Sequence, residues 1–157
     1  MRSNKRPLLY TLFMAVALTT VGCNRNTIYH QYHPTPISGW EKNDTLLFIT
    51  APAKQRAVVQ RDVELRMATN YPYQQLSLIV EQTTLPSTIR RRDTINCQLI
   101  NPEGKIQGHG INLYQYHFHL PDISINEGDS LHFRIRHNMK RDVLPGIADV
   151  GIRLTAY

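Results

Sequence analysis

The sequence predicts an all-β fold, a single antiparallel β-sandwich of Ig-like or jelly-roll type. Three observations predict it. From Asp44 onward no stretch repeats with the period of an amphipathic helix. Short stretches instead alternate apolar and polar residues, as strands with one buried and one wetted face do. Turn sequences rich in Pro, Gly and Asn separate these stretches.

The strands follow in order. Leu46 and Phe48 alternate with Thr45 and Leu47. Val63, Leu65 and Met67 alternate with Asp62, Glu64 and Arg66. Leu76, Leu78 and Val80 form a third apolar face, and Ile95, Cys97 and Leu99 a fourth. Tyr114, Tyr116, Phe118 and Leu120 alternate with Gln115, His117 and His119. Leu131, Phe133 and Ile135 alternate with His132, Arg134 and Arg136. Val150, Ile152 and Leu154 close the set. Asn101-Pro102-Glu103-Gly104 suits a type I turn, and Leu144-Pro145-Gly146-Ile147 a type II turn with Gly at the positive-φ position. Asn126-Glu127-Gly128-Asp129 is a third break. Seven such strands in a chain of 157 residues fit one sandwich domain.

The amino terminus reads as an address. Arg2, Lys5 and Arg6 precede the apolar run Leu8 to Leu18, and Thr20-Val21-Gly22 leads into Cys23. An apolar run this short does not span a bilayer as a permanent helix. A small residue directly before a cysteine resembles a lipoprotein signal, although Thr20 stands where Leu is usual. Cys23 is then the lipid attachment site; the alternative is ordinary secretion with cleavage nearby. The predicted organisation is a signal peptide at 1–22, a lipidated N-terminus and tether at 23–37, and a sandwich at 38–157. Asn24 to Ile37 is polar and carries Pro34 and Pro36. Extended, it reaches roughly 40 Å; docking of Tyr29 and Tyr32 on the domain is the alternative.

Charge and composition exclude several functions. The formal charge is +6, but three of the 18 basic residues lie in the signal, leaving 15 against 12 acidic ones. That surplus is too weak to argue for nucleic acid. With Cys23 lipidated, Cys97 has no disulfide partner, and its alternating context marks it as a core residue. His117 and His119 share one strand face, and His132 is the candidate third zinc ligand. No carboxylate is fixed beside them, so the favoured reading is a solvated sheet face and no metal. Arg90-Arg91-Arg92 reads as an exposed strand edge that blunts association or touches anionic headgroups. Gly104 to Gly110 lacks the Lys-Ser/Thr and helix of a phosphate loop, and no hydrolase motif occurs. No catalytic set and no cofactor site emerges.

Two local sequences stand out instead. Asn70-Tyr71-Pro72-Tyr73 places two aromatics around a proline between strands. Lys140, Arg141 and Asp142 precede the Pro145-Gly146 turn, flanked by Leu144, Ile147 and Asp149. Exposed Tyr and Arg are residues that interfaces favour. Tyr71, Tyr73, Lys140, Arg141, Asp142, Leu144 and Asp149 are therefore the candidate protein-interaction residues. Trp40, after Gly39, reads as core.

These segments carry a resemblance. The cysteine-terminated signal, Trp40, Asn70-Tyr71-Pro72-Tyr73, Asp93-Thr94, Asn101-Pro102-Glu103-Gly104, Gly108-His109-Gly110-Ile111 and Met139 through Gly151 resemble the gliding motility lipoprotein GldH family of Bacteroidetes. Lys140 stands where that family often has Arg. The resemblance implies a non-catalytic envelope lipoprotein working through protein contacts with the gliding and type IX secretion machinery. No Asp follows Cys23 and no acidic cluster lies nearby, so by analogy with lipoprotein sorting the expected place is the outer membrane, facing the periplasm. It implies no catalytic residues. The rival reading is a glycan- or lipid-binding sandwich. That reading requires aromatics lining a concave sheet face, whereas a protein partner requires them at loop tips.

Overall fold

The computed structural model describes residues 26–157. The signal peptide and Cys23 lie outside the described residues. Ten strands form three antiparallel sheets: β1 (Asn26–Pro34), β2 (Trp40–Glu41), β3 (Leu46–Ile49), β4 (Ala57–Ala68), β5 (Gln75–Leu85), β6 (Ile89–Gln98), β7 (Leu113–Ile125), β8 (Ser130–His137), β9 (Val143–Leu144) and β10 (Ile147–Ala156). One layer has the order β1-β10-β4-β7 and the other β3-β8-β5-β6, while β2 and β9 pair separately. No helix occurs among the described residues.

Period-two alternation places the core between the layers. Val63 and Leu65 of β4, Leu76, Leu78 and Val80 of β5, Leu131, Phe133 and Ile135 of β8, and Val150, Ile152 and Leu154 of β10 all point inward and are buried. Trp40 is buried, and its Nε1 donates to the Asp44 carbonyl at 3.1 Å. Cys97 is buried, and burial pushes its thiol up to about 12. It is an inert core residue rather than a nucleophile. Arg61 shares the inward parity of β4 and is 1% exposed. Its guanidinium donates to the Pro121 carbonyl and to Gln82 Oε1 at 2.8 Å, and meets Asp93 Oδ2 at 3.3 Å. A buried charge is tolerable only when satisfied in this way.

The stretch expected to be a tether is, from Asn26 on, an edge strand. β1 runs antiparallel to β10 from Asn26↔Ala156 to Pro34↔Asp149. Its apolar surface resides in rings rather than aliphatic side chains, which is why alternation did not reveal it. The His33 ring meets Phe48 edge-on at 4.5 Å. Tyr29 packs against the core.

Strand direction gives the sandwich two distinct ends. The start of β1, the 50–56 loop, the β5–β6 connection, the 126–129 turn and the end of β10 share the near end. The 35–39, 69–74, 99–112 and 138–142 segments share the far end. Nine or ten strand residues separate the ends by roughly 30 Å.

Candidate functional site

The far end gathers both local sequences singled out above. Gly146 has φ +80°, as the type II turn requires, and Gly146 O accepts from Ala68 N at 2.8 Å. A Cβ at Gly146 would lie 2.7 Å from Tyr71 N and 2.8 Å from Asn70 Oδ1. The Asn70-Tyr71-Pro72-Tyr73 loop therefore rests directly on the Pro145-Gly146 turn. Tyr71 and Tyr73 meet edge to face at 5.5 Å, and Tyr71 Oη donates to Gln75 O at 3.1 Å. Burial raises the Tyr71 phenol well above its ordinary value.

Arg141 then joins the two segments through its side chain. Its Nε donates to Tyr73 Oη at 3.0 Å. Lys140, Arg141 and Asp142 are exposed, and Lys42 N donates to Asp142 O at 2.7 Å. Ile37, Ile111, Leu113 and Val143 are exposed around the same end. The aromatics thus stand at loop tips and not in a concave sheet face. A hollow of about 70 Å³ lies beside them, lined by Tyr71, Tyr73, Leu99, Ile100 and Ile106 among others.

Two of the seven candidate interaction residues have other roles. Leu144 is completely buried, because β9 pairs with β2 and sets it opposite Trp40. It supports the surface from below and offers no contact. Asp149 lies on the outer face of β10, its Oδ2 3.9 Å from Arg66 Nη1. It belongs to the flank, not the tip.

Beneath the tip lies His137, buried, its ring 5.4 Å from that of Trp40. Burial lowers its pKa; Nδ1 accepts from Met139 N at 3.4 Å, and Nε2 has no hydrogen-bond partner among the described residues.

Sequence reasoning missed a second polar assembly, on the outer face of the β1-β10-β4-β7 sheet. Register places Tyr32, Gly151, Glu64 and His117 in one row across all four strands. Glu64 points outward yet is 0% exposed. The Tyr32 hydroxyl donates to Glu64 Oε2, and His30 Nε2 lies 2.9 Å from the same oxygen. His117 Nδ1 is 3.1 Å from Oε1. Arg153 Nε is 2.8 Å from Oε1 but off the hydrogen-bonding line, so this contact is an ion pair. Burial acts to raise the Glu64 pKa, but the hydrogen bonds from Tyr32 and His30 and the charge of Arg153 outweigh it and hold the carboxyl below its ordinary value. Burial and the neighbouring carboxylate push Tyr32 up to about 12.

Gly151 makes this contact possible. A Cβ there would lie 2.7 Å from the Tyr32 ring, so the ring reaches Glu64 only because β10 lacks a side chain at that point. Arg66 caps the ring from 3.8 Å. Tyr32 and His30 hold Oε2 and so fasten the edge strand to Glu64, while Oε1 has His117 and Arg153 at ion-pair distance but no hydrogen-bond partner among the described residues.

The three-histidine constellation does not assemble. His117 serves Glu64, and His119 sits between Asp62 at 3.1 Å and Asp122 at 3.2 Å. His132 belongs to β8, in the other sheet. Among the described residues no group of three or more His, Cys, Asp or Glu could hold a metal ion.

The family model of the GldH lipoprotein matches residues 27–154, from the edge strand into the last strand. The chain belongs to the GldH lipoprotein family. It is 26% identical over 150 residues to the gliding motility lipoprotein GldH of Flavobacterium johnsoniae, covering 91% of this chain and 93% of that protein. GldH-family membership makes it a membrane-anchored protein of the cell envelope. Among solved structures it is similar to part of a family GH115 4-O-methyl-α-glucuronidase, with TM-score 0.44, 14% identity and coverage of 84% of this chain but 18% of that one. It is also similar to part of an α-amino acid ester hydrolase, with TM-score 0.40, 9% identity and coverage of 85% and 31%.

Proposed function

We propose that this protein is a non-catalytic lipoprotein, anchored through Cys23 in the outer membrane and facing the periplasm. It acts through protein contacts at the far end of its sandwich, with envelope components of the gliding and secretion machinery as partners. The observation that carries the reading is the Arg141–Tyr73 hydrogen bond. It turns two separate loops into one stiff surface of half-buried aromatic and exposed cationic and aliphatic groups. Such a surface loses little freedom on association. The GldH relative supports the motility connection, since its name places it in gliding.

The test is a crosslinked pull-down of the lipidated protein from intact envelopes. Wild type is expected to capture a reproducible set of partners, and Arg141→Ala to lose it while remaining folded and membrane-bound. Full capture by Arg141→Ala would remove the far end from the interface. Cys23→Ala is expected to release the domain from membranes or leave it unprocessed. Wild-type processing and fractionation of that variant would overturn the anchor.

A further inference from the structure

The near end carries its own surface, distinct in chemistry from the far end. Lys54 and Arg56 in the 50–56 loop and Arg90 and Arg91 at the start of β6 are all exposed there. Ile89 beside them is 52% exposed, and Ile28 on β1 is 48% exposed. The acids at this end are largely engaged. Asp129 is buried and accepts from Asn126 N at 2.9 Å, and Asp122 faces His119 at 3.2 Å. Glu127 is exposed on the turn. Four cations and two aliphatic side chains therefore face outward, against the exposed carboxylates of Glu127 and Asp122.

We propose that this near end is a docking surface for an anionic bilayer, with Arg90, Arg91, Lys54 and Arg56 on headgroup phosphates and Ile89 and Ile28 at the headgroup boundary. The inference deepens the proposed function and rests on the Cys23 anchor. Asn26, the first residue of β1, comes three residues after Cys23. Three peptide units span at most about 11 Å. The start of β1 is thereby held within about a Debye length of the lipid surface, and an upright domain brings the rest of this end to it, where cations are not yet screened. A folded partner, whose diameter is roughly 30 Å, has no room in that gap. The charge is complementary to anionic headgroups, and guanidinium groups bind phosphate in bidentate fashion. The lipid supplies attachment, and the cationic rim supplies orientation. The far end then projects roughly 30 Å into the periplasm.

The experiment has two arms. In the first, the lipidated protein carrying Ile89→Trp or Ile111→Trp is reconstituted into brominated phosphatidylcholine vesicles with or without phosphatidylglycerol. Trp40 is common to both variants and is buried at the far end. Ile89→Trp is expected to be quenched, more strongly with phosphatidylglycerol, and Ile111→Trp to stay bright. Equal quenching of the two, or quenching of Ile111→Trp alone, overturns the proposal. In the second arm, the processed chain with Cys23→Ser is titrated with phosphatidylglycerol vesicles. Arg90→Glu with Arg91→Glu is expected to weaken binding at least tenfold at low salt, since each cation near such a surface contributes about fivefold. Unchanged melting of the double variant excludes misfolding as the cause. Binding equal to the parent overturns the proposal and leaves an acidic protein as the rim's partner. The vesicle titration does not depend on lipidation. A missing acyl mass on Cys23 in the native protein would instead sink the anchor, and so separates the two failures.

Discussion

The two ends of this sandwich are built from the same strands but solve different problems. The near end is a cationic rim with isolated aliphatic side chains, and its acids are mostly tied up locally. The far end mixes charges, sets Tyr71 edge to face with Tyr73, and braces both against a turn fixed by Gly146. Loosely held like charges suit a fluid, uniformly charged surface such as a bilayer. A stiff mixture suits one shaped partner. The difference teaches that, on the proposed assignment, anchoring and recognition are separated along the strands, so that each should be open to damage alone.

The largest damage to the far end should come from Gly146→Val. The position demands positive φ, and a Cβ would collide with the backbone at Tyr71. Strain and overpacking together should cost about 3 kcal/mol. Urea unfolding is expected to show a lower midpoint with an unchanged slope. A wild-type midpoint would mean that the 69–74 loop simply moves aside, and that the far end is not braced.

A smaller effect is expected where the two ends are joined. β1 leads from the anchor side to the far end, and Tyr32 fastens it to Glu64. Tyr32→Phe should cost about 2 kcal/mol, because it leaves a buried carboxylate short of a donor. Gly151→Ala should cost about 1–2 kcal/mol by pushing the ring off Glu64. Hydrogen exchange is expected to rise in β1 and at its β10 partners before it rises in β5 or β8. Uniform loss of protection would contradict a local fastening.

Acid should loosen the far end first. The His137 pKa is lowered in the fold from 6.5, so the folded protein resists a proton that the unfolded chain accepts. Its contribution is present above that value and fades as pH falls below it. Glu64, lowered from 4.5, has the same sign and fades only in stronger acid. Trp40 fluorescence, reporting beside His137, is expected to change as pH falls below 6.5, before any signal from the Glu64 network. His137→Phe should flatten that first step whatever its effect at neutral pH. Persistence of the step would assign it to another group.

Much of this fold was legible in residue order. All seven alternating stretches are strands, and Pro145-Gly146 is a turn with the expected positive φ. β1 was not legible, because Tyr29, His33 and Tyr32 carry its packing and leave no aliphatic alternation. Alternation did put Glu64 on the outer face, but its burial depends on a four-strand register, and strand order has no local signal. Leu144 looked like a surface contact because a two-residue strand is too short to show periodicity. Tyr73 and Arg141 were each visible as candidates. That they touch could be learned only from the fold, since 68 positions separate them.

The smallest expected effect on stability sharpens the comparison most. The Arg141–Tyr73 hydrogen bond is exposed, so water replaces it when either partner is lost. Arg141→Ala and Tyr73→Phe should each leave the urea midpoint unchanged. Their effect on partner capture should be large and non-additive, because each variant releases the same pair of loops. The double variant is therefore expected to capture no less partner than either single one. If the two losses simply add, Arg141 and Tyr73 contact the partner independently, and the hydrogen bond is incidental. If neither variant loses capture while Arg90→Glu does, recognition belongs to the near end and the assignment of the two ends is reversed.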